Sequence, residues 1–318
     1  MNPILESIKP VVEKSRYVKI KEEKIREICL GFGQRDVKYW MDESGFNLSK
    51  LNDQERLNFI FVFNSINFCY WGDPKWTIEY KGRQYDGAWG MLAAIIRAVE
   101  NGILILEAEY LSNLSPEDLA KILEGNITIP LFSERLRILR ENGNILLQKY
   151  HGQFSKVIEG AGKDTLKLLE LLTVDFPSLN DYGTYDGQRV LFHKRAQLAV
   201  SDVYRTFKGQ GLGELKQVVQ LTAFADYKIP QSLRKLGILE YAPELSTKID
   251  NRIQLPESSP EEVEIRANTI WAIELMKREL ETKIPQITSM DIDSYLWLLG
   301  QKKSSEDKPY HLTKTIFY

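Results

Sequence analysis

Cysteine and histidine are scarce in this 318-residue chain, with two of the former and three of the latter. Cys29 and Cys69 belong to no C-x-x-C pair, which argues against a disulfide framework or a cysteine zinc site and fits reduced, cytoplasmic thiols. His151, His193 and His311 are scattered without H-x-x-x-H spacing, so metal catalysis is disfavoured. Neither sign of charge dominates. A formal net charge of −2 and a pI near 6.1 give no global basic field for a nucleic-acid backbone, although a few local cations would still hold a small anion. No apolar run approaches the roughly 18 residues needed to span a bilayer. The opening stretch from Met1 to Pro10 lacks a charged-then-apolar signal pattern, so the expectation is a soluble, cytoplasmic protein. Phosphate-loop glycine patterns are missing too. Gly31-Phe32-Gly33, Gly160-Ala161-Gly162-Lys163 and Gly209-Gln210-Gly211-Leu212-Gly213 all fail the templates and read as turns.

What the chain does have is helix signals. Trp89, Leu92, Ile95, Ile96 and Val99 fall at helical spacing and stop at Gly102. Ser115-Pro116-Glu117-Asp118 and Ser259-Pro260-Glu261-Glu262 both read as an N-cap, a proline and first-turn acids; the first of these helices is expected to close at Gly125. Asp164 to Leu172 and His193 to Phe207 are further amphipathic candidates. Strand signals are thin, limited to a small hairpin over Thr77–Tyr85 turning at Lys81-Gly82. Strand and helix do not alternate regularly, there is no internal repeat, and no linker divides the chain. The predicted fold is mainly α: one large helical domain over residues 1–318, open to a two-lobed arrangement.

Candidate chemistry concentrates in a few segments. In Phe224-Ala225-Asp226-Tyr227-Lys228-Ile229-Pro230-Gln231, one carboxylate sits between two aromatic residues just before a short helix ending at Gly237. Aromatic faces hold a flat heterocycle, and a carboxylate reads its N–H edge or stabilises positive charge on an attached sugar. The same pattern also fits a capping acid flanked by core aromatics. Asn67, Tyr70 and Trp71 follow an apolar run and combine an amide with aromatics, as base or sugar recognition requires; a buried segment leading into a turn has the same appearance. Lys194 and Arg195, with Asp202 two turns beyond Arg195, suit a phosphate or else a solvated helix face with an internal ion pair. Asp293 and Trp297 are four apart and share a helix face; Asp291 or Asp293 could equally cap that helix. The closing segment Pro309–Tyr318 is hydrophobic enough to fold back, bringing His311 and Lys314 toward an anion.

These segments together resemble the queuosine-salvage family, the queuosine 5′-phosphate N-glycosylases/hydrolases. The matching blocks are Asn67–Trp71, Lys194–Gln197, Phe224–Gln231, Glu262–Ala267, Asp293–Trp297 and Pro309–Tyr318, in family order from about Arg16 onward. The resemblance implies hydrolysis of the N-glycosidic bond of queuosine 5′-monophosphate, with release of queuine for reuse in tRNA modification. It also implies a helical scaffold like that of the helix-hairpin-helix DNA glycosylases, with no cofactor and no metal. Carried over by position, Phe224 and Asp226 contact the base, while Asp293 is the catalytic carboxylate with Ser294 beside it. Tyr227 and Trp71 are further stacking candidates, and Lys194, Arg195, His311 and Lys314 are candidates for the 5′-phosphate. The aspartates' roles are interchangeable at this level. Leu298 stands where the family often shows another acid. A non-catalytic carrier of queuine or a related nucleotide is the competing reading; a DNA glycosylase is disfavoured by the charge balance.

Overall fold

Capping chemistry starts several helices where the sequence expects them. Ser115 Oγ accepts the Asp118 N–H at 3.0 Å and Ser259 Oγ that of Glu262 at 3.3 Å, opening the helices Pro116–Ile122 and Pro260–Leu280. Proline stands first in both, where a missing N–H breaks no helical bond. Asp164 caps Thr165–Asp175 in the same way, through the Lys167 N–H at 2.8 Å. The computed structural model describes residues 2–302, 304 and 307–318. Among them are fourteen α-helices and three two-stranded antiparallel ladders, so the protein is mainly helical.

The expected hairpin forms from Thr77–Tyr80 and Arg83–Asp86, with Lys81 and Gly82 both at positive φ (50° and 73°). That geometry belongs to the two-residue turns whose twist matches paired strands. A second hairpin, Tyr182–Tyr185 with Gln188–Leu191, turns through Asp186-Gly187 in the same way. Its strands are too short and polar to stand out in the sequence. The third ladder joins Val18–Ile20 to Leu239–Tyr241, a pairing between distant segments that no local signal encodes. One boundary differs from expectation: the Pro116–Ile122 helix stops before Gly125, which packs under the first hairpin instead. A Cβ at Gly125 would come within 2.4 Å of the Thr77 carbonyl oxygen, so only glycine allows this approach.

Buried apolar side chains fall into two clusters. The helix Asp53–Ser65 serves both, sending Leu57, Ile60 and Phe61 to one and Phe59, Val62 and Phe63 to the other. This explains why its apolar residues wrap all the way round instead of forming one stripe. The helix Ser289–Gln301 also lies at the seam, and Trp297 packs against both clusters. The closing segment folds back as expected: Leu255 donates to the Leu312 carbonyl and Cys69 to that of Tyr318, each at 2.8 Å.

Candidate active site

A cleft opens at this seam. It encloses about 950 Å³ of atom-free space, part of it open to solvent. Asp226 and Asp293, far apart in sequence, both line it, as do Phe224, Tyr227, Lys194 and Ser294.

Asp293 stands in the second turn of the Ser289–Gln301 helix. The capping role falls to Asp291 instead: its Oδ2 accepts the Thr288 N–H at 2.9 Å, while Thr288 Oγ1 accepts the Asp291 N–H at 3.3 Å. Asp291 also pairs with Arg205. Asp293 is thereby free of helix duty, and its Oδ2 accepts the Phe224 N–H at 2.8 Å. Only 6 % of Asp293 is exposed. Burial pushes its carboxyl up to about 8; the Phe224 N–H and Lys194 oppose the rise and Asp226 adds to it.

Asp226 caps a helix and still borders the cleft. Its Oδ1 accepts the N–H groups of Lys228 (2.7 Å) and Ile229 (2.9 Å), capping the helix Lys228–Lys235, while the residue also lines the cleft. Lys194 is buried. Desolvation lowers its affinity for the proton, against the pull of Asp226 and Asp293. Ser294 contributes a buried hydroxyl with no hydrogen-bond partner among the described residues.

Aromatic residues build the walls. Trp297 meets Trp40 and Trp89 edge to face, with ring centroids 5.3 Å apart in each case, and Tyr227 leans on Tyr310 at 4.7 Å. Asn67 also lines the cleft, its Oδ1 accepting the Tyr70 hydroxyl at 3.0 Å. The loop bearing them is clamped from behind. Arg135 donates to the carbonyls of Ile66, Phe68 and Cys69, and Arg195 to those of Asn64 (3.0 Å), Ser65 (2.5 Å) and Ser178 (2.5 Å). Both guanidinium groups lie over the Phe68 ring. Burial draws Arg135 down to about 10 and Arg195 to about 9, so both stay cationic at neutral pH.

Several sequence candidates stand elsewhere. Arg195 does not line the cleft: its Nη1 and Nη2 donate to backbone carbonyls, and among the described residues it makes no ion pair with Asp202. That carboxylate instead accepts from Tyr39 (2.9 Å), Trp40 (3.1 Å) and Asn64 (2.9 Å). His311 is buried against the Tyr318 hydroxyl at 3.3 Å, and desolvation pulls its imidazole down to about 3, leaving it neutral. Lys314 is exposed and Trp71 lines an adjoining hollow, so neither is among the residues of the main cleft. Conversely, sequence reasoning missed Trp40, Lys75 and Trp89 as cleft residues. Trp89 falls in the helical spacing that ends at Gly102 and lies on the helix Gly87–Glu100; Gly87 and Ala88 beside it, too small to fill the space, are the available signal.

A mainly helical scaffold thus holds an aromatic-walled cleft with two buried carboxylates, the make-up of a small-molecule site. The chain belongs to the queuosine salvage protein family, whose model it matches over residues 48–318. It is 42 % identical over 318 residues to a queuosine 5′-phosphate N-glycosylase/hydrolase of Sphaerobacter thermophilus, covering 99 % of this chain and 97 % of that one. Proteins of the same description from Mus musculus and Dictyostelium discoideum are 34 % and 30 % identical, with 98 % and 100 % of both chains covered respectively.

Proposed function

We infer that this protein hydrolyses the N-glycosidic bond of queuosine 5′-monophosphate, releasing queuine and ribose 5-phosphate. The observation that carries the reading is the pair of buried carboxylates, Asp226 and Asp293, lining one aromatic cavity in a chain of this family. The base is a 7-deazaguanine, with carbon where a purine has N7, so protonation at that position is not available to help it leave. The barrier then falls mainly through stabilisation of the oxocarbenium-like sugar and through grip on the departing base.

In this scheme the C1′–N9 bond breaks and its electron pair leaves with the queuine base. Water adds to C1′ and gives one proton to the Asp293 carboxylate, and a proton is taken up at N9 of the departing base, so the products are neutral queuine and ribose 5-phosphate. Asp293 is assigned to the sugar and the water. A carboxylate made costly by burial and by its acidic neighbour gains most when positive charge develops beside it. Asp226 reads the base edge, with Phe224 and Tyr227 against the ring, and Ser294 and Asn67 supply further polar contacts. Lys194 is kept as a phosphate ligand. Lys75 and Lys228, which also line the cleft, take the place of Arg195, His311 and Lys314.

The wider proposal is a single domain acting in the cytoplasm on the free nucleotide and not on duplex DNA, built on a scaffold of the helix-hairpin-helix glycosylase type. The near-neutral charge and two free, buried cysteines support that setting, and no helix among the described residues is long and apolar enough to cross a membrane. Incubation with queuosine 5′-monophosphate, followed by mass spectrometry, tests the activity. Free queuine and ribose 5-phosphate in equal amounts are expected. Tight queuine binding with no cleavage at any pH would instead make the protein a carrier.

A further inference from the structure

Arg266 lies behind the cleft on the Pro260–Leu280 helix and is only 2 % exposed. Its Nη1 and Nη2 donate to the two carboxylate oxygens of Asp181 at 2.9 and 2.6 Å, and its Nε donates to the Ala225 carbonyl at 3.1 Å. The guanidinium is held between the rings of Phe192 and Tyr318, 3.9 and 4.4 Å from their centroids. One turn earlier Glu262 stands 3.5 Å from Nη1 and accepts the Tyr318 hydroxyl at 2.8 Å. Asp181 also accepts the Lys194 N–H at 3.0 Å. The bonds of this pair therefore end on the backbone of the cleft residue Lys194, and on that of Ala225 between Phe224 and Asp226.

We propose that Arg266, with Asp181, is the positioning residue that fixes Asp226 relative to Asp293. The argument is geometric and rests on the proposed hydrolysis for its consequence. The segment 224–226 is anchored at two points: Phe224 gives its N–H to Asp293, and Ala225 gives its carbonyl to Arg266. Asp226 follows directly. If the second anchor is loosened, the peptide on which the first depends is free to drift. Lysine keeps the charge but cannot direct two parallel bonds at Asp181 and a third at Ala225, because it lacks the planar fork of arginine.

The effect has a signature that ordinary destabilisation lacks. The groups acting on Asp293 are the Phe224 N–H and Lys194, which favour its charged form, and Asp226, which disfavours it. A weakened Phe224 bond moves the Asp293 ionisation upward. The test is a titration of carboxyl-labelled aspartates by carbon NMR in ligand-free wild type, Arg266→Lys and Asp181→Asn, with Asp293→Asn identifying the resonance. A rise of about half a pH unit, roughly threefold in the ionisation constant, is expected in both variants. The pH dependence of kcat/KM should move by the same amount, with kcat at least about tenfold lower. If the melting temperature falls while the Asp293 midpoint stays at the wild-type value, the pair is structural only and the inference is overturned. Should Arg266→Lys fail to fold, Asp181→Asn, which keeps an acceptor for the Lys194 N–H, decides the question. The titration uses no substrate. An inactive wild type would therefore count against the proposed hydrolysis, and an unmoved midpoint against this inference.

Discussion

In the proposed hydrolysis, Asp293 concentrates the chemistry and its cost in one side chain. Its ionisation is raised to about 8 from an ordinary 3.8. With the carboxylate as the active form, kcat/KM for queuosine 5′-monophosphate should rise with pH through a limb near 8. Activity confined to the acid side of that limb would make Asp293 a proton donor. Linkage fixes the sign of the stability effect. The folded state holds this proton more tightly than the unfolded chain, so between about pH 4 and 8 stability declines as pH rises. Asp293→Asn keeps an acceptor for the Phe224 N–H and removes that slope. It should lower kcat by about 10²–10³-fold yet melt at a higher temperature than wild type at pH 8, as calorimetry can check. Asp202 illustrates a different demand. It is fully buried among the neutral donors of Tyr39, Trp40 and Asn64, and burial raises it to about 6. Asp202→Asn turns an N–H toward one of those donors and should cost about 1–3 kcal/mol in denaturant unfolding, with a raised KM because Trp40 forms part of the cleft wall. The sequence named Asp202 but not its role, since its partners come from segments remote in numbering.

Helices show which local rules suffice and which do not. Ser259-Pro260-Glu261-Glu262 reads correctly as a helix start because the cap bonds only to its own next turn. Ser259→Ala should therefore cost about 1 kcal/mol of stability while kcat stays within a factor of two or so of wild type, as expected for a change far from the reacting groups. A tenfold loss of kcat would show that this cap helps to hold Arg266. Asp226 lies at the limit of such reading, since a cap acid and a ligand acid carry the same sequence signature. Here one carboxylate oxygen does the capping and the residue still borders the cleft. Arg195 shows the converse. A charged residue on an amphipathic helix is normally solvated, but this one is turned inward to tie three carbonyls of neighbouring segments.

At the scale of the molecule, the cleft exists because two apolar clusters meet without fusing along the helices Asp53–Ser65 and Ser289–Gln301. Trp297 belongs to both clusters and to the cleft wall. Trp297→Ala should cost about 2 kcal/mol, less than a fully buried tryptophan, and raise KM more than it lowers kcat; an unchanged KM would remove it from the binding wall. The sequence by itself determined the helical class, the capped helix starts, the first hairpin turn and the ordered blocks that mark the family, because each depends on neighbouring residues or on residue identity. Tertiary structure alone decided which cations reach the cleft, which acid is released from capping, and that Arg266 ties Asp181 to the Ala225 carbonyl. Those outcomes depend on desolvation and on hydrogen bonds between distant segments, and neither is set until the chain has closed around them.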